Sequence, residues 1–139
     1  SMLPEDTKFC FIDLGCGFST LLFFLARKRP DAQFYGVEIS PFAFAFGKLR
    51  ASFCRYANVK IEMKSLWAVD LHDFDYVYAF LAPGPMPELW DKCRREMKEE
   101  SRLFVNSFPV PAPHQKAIQV DDKRKTVLYI HEIGFKSHS

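Results

Sequence analysis

The sequence predicts an α/β fold with a mostly parallel sheet, flanking helices and a C-terminal antiparallel hairpin. Three observations lead there. Short apolar runs alternate with longer amphipathic segments from Phe9 to Met97, no internal repeat or low-complexity linker interrupts them, and the tail then supplies two strand-like runs in succession. With 139 residues, 48% hydrophobic residues and fifteen Phe, the chain has the length of one domain, residues 1–139, and enough apolar material for a core.

Phe9 to Leu14 is a β-branched and aromatic run, interrupted by Asp13, and reads as the first strand. Gly15 and Gly17 follow as a tight turn. Ser19 or Thr20 then caps a helix that runs to about Arg29 and is stopped by Pro30 and Asp31. Gln33 to Val37 is the second strand. Ser40-Pro41 pairs a hydroxyl cap with proline in the first helical position, and Phe42, Phe46, Leu49 and Phe53 recur at four-three-four spacing as one apolar stripe.

Val59 to Met63 reads as a third strand, Tyr76 to Leu81 as a fourth and Leu103 to Ser107 as a fifth, so residues 65 to 75 must cross over compactly. Pro87 to Met97 is helical, with Leu89, Trp90, Cys93 and Met97 on one face and Asp91, Lys92, Arg94 and Arg95 on others. Ala117 to Val120 and Thr126 to Ile133 form the closing hairpin around the polar turn Asp121 to Lys125. Prolines at 109, 111 and 113 make the path into it irregular.

Composition excludes several function classes. A formal charge of +2 is too small to drive nucleic-acid binding, and Arg27-Lys28-Arg29 falls at a helix end, where cations offset the helix dipole. Cys10, Cys16, Cys54 and Cys93 contain no C-x-x-C pair and read as free thiols of a reducing compartment. The four histidines have no metal-ligand spacing with them, so no structural zinc is expected. No stretch approaches the ~18 apolar residues of a membrane span, and no signal layout opens the chain; a soluble, cytoplasmic protein is expected. Ser1 before Met2 reads as an expression scar, with the true start elsewhere.

The candidate site lies after the first strand. A strand, a glycine turn and a helix bring backbone N–H groups to the sheet edge, and Glu38 ends the second strand 21 residues after Gly17, where a carboxylate can take both hydroxyls of a ribose. Two nucleoside ligands compete for such a place. A dinucleotide fingerprint needs G-x-G-x-x-G, but position 20 is Thr, and Asp13 would repel a pyrophosphate. S-adenosylmethionine instead offers an ammonium and a sulfonium, which Asp13 attracts.

The residues D-L-G-C-G-F-S resemble motif I of class I S-adenosylmethionine-dependent methyltransferases, with Ser19 in place of the third glycine. "YGVEIS" is similar to that family's second strand with its ribose acid, "KSLWAVDL" to the adenine-holding segment, and "YVYAFLAPGP" to the fourth strand with its active-site edge. Ser65-Leu66-Trp67, Asp70-Leu71, Phe74, Phe80-Leu81-Ala82-Pro83 and "LFVNSFPVP" look most like a protein lysine methyltransferase family with membrane-anchored mitochondrial members. The likeness runs from about Phe9 to Ile133. Ser65 stands where that family has an acid, and no membrane segment or long N-terminal extension accompanies it.

The resemblance implies a Rossmann-like fold and S-adenosylmethionine as cofactor. Asp13, Gly15, Cys16 and Gly17 would hold its amino acid end, Glu38 with Ile39 its ribose, and Ser65 with Leu66 would border the adenine. The expected activity is methyl transfer to an acceptor, with a protein lysine amine leading. A nucleic-acid base acceptor would call for a side-chain amide or carboxylate after the fourth strand, where Leu81-Ala82-Pro83-Gly84 has none. Trp67, Phe80 and Phe108 are candidate walls for the acceptor, against the plain alternative that they fill the core. Asp70 either orients an amine or caps a turn, and His114 reads as a solvated loop residue. The alternative function is a catalytically inactive S-adenosylmethionine- or nucleotide-binding domain that serves as a binding or assembly component.

Overall fold

The computed structural model describes residues 8–17, 20–54, 57–106, 110–111, 116–119 and 127–133. The chain divides into two compact units, residues 1–68 and 69–139.

In the first unit, β1 (Cys10–Leu14), β2 (Gln33–Glu38) and β3 (Val59–Met63) form a parallel sheet in the order β3-β2-β1. Parallel neighbours need crossover helices, and α1 (Thr20–Lys28) and α2 (Pro41–Cys54) provide them. Asp13 lies opposite Gly36, and Glu38 opposite Met63. Phe9, Phe11, Ile12 and Leu14 meet Phe34, Leu22 and Phe23 in the core, where Phe34 packs edge-on against Phe9 at 5.8 Å between ring centroids. Both faces of β1 are buried, which is why its apolar run is continuous rather than alternating.

Helix α1 ends in Arg27 and Lys28, and its last carbonyls find a partner that composition does not reveal. The Asn58 amide, just before β3, donates to the carbonyls of Ala26, Arg29 and Ala32 at 3.2–3.3 Å, satisfying acceptors that a helix end leaves open. Helix α2 starts as expected: Ser40 Oγ accepts from the Ala43 N–H and its carbonyl from the Phe44 N–H. Its large side chains do not go inward. Ala43 and Gly47 face the core, while Phe42, Phe46 and Leu49 are exposed; the Phe53 side chain lies outside the described residues. Small inward residues let a helix lie close to a sheet, and the four-three-four spacing of the large ones does not state which face is covered.

In the second unit, β4 (Tyr76–Ala79) and β5 (Arg102–Asn106) are parallel, and β7 (Val127–Glu132) is antiparallel to both β5 and β6 (Lys116–Gln119). The strands run in the order β4-β5-β7-β6. The closing hairpin is thus formed as expected, its turn at 121–125 lying outside the described residues. Helix α3 (Met86–Glu96) buries Met86, Leu89 and Cys93, and with them Lys92. Position 92 is therefore not on a solvated face. Its ammonium donates to Glu96 Oε1 and Oε2 at 2.8 and 2.9 Å and to the Val69 carbonyl, while Glu96 Oε1 also accepts the Leu71 N–H at 3.1 Å. A buried ammonium persists because these acceptors replace water. The crossover at 65 to 75 is compact, holding only the 3₁₀ turn Leu66–Ala68.

Candidate functional site

The site is built where the carboxyl ends of β1 and β2 meet. After Leu14 the chain turns through Gly15 at φ 83° and Gly17 at φ 56°, left-handed conformations that a side chain resists. Open space lies beside both: a Cβ at either position would meet nothing within 4 Å. The loop is nevertheless fixed. The N–H groups of Gly15 and Cys16 both donate to the Val37 carbonyl at 2.9 Å.

Glu38 completes the fixation with its side chain. Its Oε1 accepts the Gly17 N–H at 2.7 Å and its Oε2 accepts the Ser40 N–H at 2.9 Å, so one carboxylate ties the glycine loop to the start of α2. Each carboxylate oxygen has a further lone pair. The half-buried group can therefore hold the loop and still accept hydroxyl donors from a ligand.

Asp13 sits at the end of β1 with only 4% of its surface exposed. Burial first, and then the Glu38 carboxylate, push its carboxyl up from the ordinary 3.8 to about 7. Two acids at one sheet end favour a cation, which would lower the energy of the charged form of both. An ammonium fits this donor set and a pyrophosphate does not.

Gly36 lies outside the glycine turn, yet it shapes the loop from behind. A Cβ there would lie 2.4 Å from Leu22 Cδ1 and 2.8 Å from Cys16 Sγ. The signal in the sequence is a glycine inside an otherwise aromatic and β-branched strand, which marks close approach of another chain segment.

Ser65 and Leu66 follow β3, whose end is drawn to β2 by the Lys64 N–H donating to the Glu38 carbonyl at 3.2 Å. The Ser65 hydroxyl accepts the Trp67 N–H at 3.2 Å and its carbonyl accepts the Ala68 N–H at 3.0 Å, so Ser65 builds the 3₁₀ turn. Ile39 is exposed next to Glu38. All eight candidate residues, Asp13, Gly15, Cys16, Gly17, Glu38, Ile39, Ser65 and Leu66, thus belong to the first unit. Trp67 is exposed rather than buried in a core, and so is Phe80 just past β4. Asp70 caps a turn by accepting the His72 N–H at 3.0 Å. Ser19, Phe108 and His114 lie outside the described residues.

Known proteins share these features. Over 126 residues the chain is 31% identical to mouse adenine nucleotide translocase lysine N-methyltransferase, covering 88% of this chain and 54% of that one. It is 27% identical over 101 residues to a human ATP synthase lysine N-methyltransferase, covering 72% and 42%. The chain thus spans about half the length of the curated relatives it matches. Among solved structures, an RNA methyltransferase from Salinibacter ruber in complex with S-adenosyl-L-homocysteine superposes with a TM-score of 0.83 at 18% identity, over 92% of this chain and 82% of that one. This likeness establishes the Rossmann-like fold. The model of the ANTKMT methyltransferase domain matches residues 13–117, from the buried acid of β1 to the start of the closing hairpin. The lysine methyltransferase resemblance read from motif I, the ribose acid and the fourth strand therefore holds, and the chain belongs to the ANTKMT methyltransferase domain family.

Proposed function

We propose that the chain binds S-adenosylmethionine at the carboxyl ends of β1 and β2 and transfers its methyl group to an acceptor amine, with a protein lysine as the leading acceptor. The observation that carries this reading is the double use of Glu38, which holds the Gly17 and Ser40 N–H groups and keeps lone pairs for ribose hydroxyls. Asp13 and the loop of Gly15, Cys16 and Gly17 would take the amino acid end, Glu38 and Ile39 the ribose, and Ser65 and Leu66 the border of the adenine. Family membership supports the reaction, and the names of the mouse and human relatives support lysine as acceptor. Nothing in these likenesses favours the inactive alternative.

When bound, the cofactor supplies a methyl group on a positively charged sulfur. The protein's own tasks are alignment and exclusion of water. A lysine acceptor attacks only when neutral, and an apolar surround lowers its pKa. Trp67 and Phe80 are the described aromatic candidates for that role. The reading of residues 1–139 as one domain belongs to the same proposal, supported by a family match that runs through both units. So does a cytoplasmic location, for which Cys10, Cys16 and Cys93, none of them in a disulfide, speak.

The test is calorimetric titration with S-adenosylmethionine and separately with NAD, followed by transfer of a labelled methyl group to lysine-containing peptides and their arginine-substituted controls. Binding of S-adenosylmethionine alone, with label on the lysine peptides, is the expected result. Binding of NAD instead, or of neither, would overturn the cofactor assignment; label on the arginine controls would overturn the acceptor.

A further inference from the structure

Helices α1 and α2 lie side by side in the first unit, the Arg50 guanidinium of one resting 4.8 Å above the Phe23 ring of the other. Their outward surface is unusual in two independent respects. It is apolar: Phe42 is 86% exposed, Leu49 58%, Phe24 55% and Phe46 49%. Phe42, Phe46 and Leu49 follow one another at helical spacing and make a row about 10 Å long. It is also of one sign. The two helices carry Arg27, Lys28, Lys48 and Arg50 and no Asp or Glu, and Lys28 lies 4.9 Å from the exposed Phe24 ring.

We propose that this face is a peripheral docking surface for an anionic lipid bilayer. A row of Phe and Leu flanked by Lys and Arg suits the boundary between acyl chains and headgroups: the rings enter the apolar layer while the cations meet phosphates. The charge pattern argues against a second copy of this chain as occupant. A two-fold contact through this face would set four cations against four with no acid to separate them. The surface lies wholly on α1 and α2, so the proposal does not depend on which acceptor is methylated.

The experiment is co-sedimentation of the full chain with vesicles of phosphatidylcholine alone and with vesicles in which about a third of the lipid is phosphatidylglycerol. Two paired variants accompany it, Phe46→Ser with Leu49→Ser, and Lys28→Glu with Lys48→Glu. All four side chains are exposed, and circular dichroism together with S-adenosylmethionine titration checks that each variant keeps its fold and site. The chain is expected to bind the anionic vesicles and not the neutral ones, with either pair weakening binding about tenfold or more. Equal binding to both lipids, no binding to either, or unchanged binding by both variants would overturn the proposal. So would self-association, seen by sedimentation equilibrium, that the Phe46→Ser/Leu49→Ser pair abolishes in a chain that does not bind vesicles, for the face would then join copies of the protein.

Discussion

Replacing Asp13 with Asn isolates the charge at the heart of the site. The carboxyl is raised from 3.8 to about 7, by burial and then by Glu38, so between these values the folded chain holds a proton that the unfolded chain has released. Stability therefore falls as pH rises from about 4 to about 7 and is level above that. At about 1.4 kcal/mol per pH unit, the interval corresponds to about 4 kcal/mol. Asn keeps the shape without the charge. The Asp13→Asn chain should match the wild type near pH 4 and exceed it progressively up to about 4 kcal/mol at pH 8. Cofactor binding should move the opposite way: S-adenosylmethionine affinity of the wild type rises as Asp13 ionises through pH 7, whereas the variant binds weakly with no such rise. Urea unfolding followed by circular dichroism at pH 4.5, 6, 7 and 8, with calorimetric titration at each pH, measures both. Parallel stability curves for variant and wild type would refute the burial argument. Undiminished cofactor binding by the variant would refute the role of Asp13 as partner of a cation.

Glu38→Ala should weaken S-adenosylmethionine binding by ~1–3 kcal/mol, the worth of charge-assisted hydrogen bonds, and should speed hydrogen exchange of the Gly17 and Ser40 amides; unchanged affinity in calorimetry would remove Glu38 from the site. Gly36→Ala places a Cβ against Leu22 and Cys16 and should cost ~1–3 kcal/mol of stability by overpacking, read as a lower urea midpoint. Lys92→Ala leaves Glu96 without the ammonium that both its oxygens hold, and a loss of ~3 kcal/mol is expected in chemical unfolding. The paired change Lys92→Met with Glu96→Leu should cost less, because it removes both charges together.

The strands and helices were legible because each is announced by local chemistry. Ser40-Pro41 marks the start of α2, the continuous apolar run of 9–14 marks a strand buried on both faces, and Val59–Met63 is read to the residue. The acids Asp13 and Glu38 were legible for a related reason: a carboxyl at the end of a buried strand needs a purpose. What could not be read depends on contacts distant in sequence. Asn58 closes α1 from 29 and 32 positions away, and no local pattern states that. Lys92 sits among charged neighbours like any surface residue, and only the carbonyl of Val69 and the carboxylate of Glu96 make its burial possible. The exposed stripe of α2 failed as a guide to burial because Ala43 and Gly47, too small to weigh in a hydropathy pattern, are the residues that meet the core.

The shared acceptance of two N–H groups by the Val37 carbonyl has a thermodynamic consequence. A glycine-rich segment free in solution would lose backbone entropy of roughly 1–2 kcal/mol per residue on closing around a ligand. Here that loss is incurred when the protein folds, since Gly15 and Cys16 are hydrogen-bonded to β2 as if they extended the sheet. Ligand encounter then requires no local ordering of these two residues, and their binding energy is not spent on organising the loop. The two amides open with the strand rather than before it, so the receptacle lasts as long as the β1–β2 pairing does.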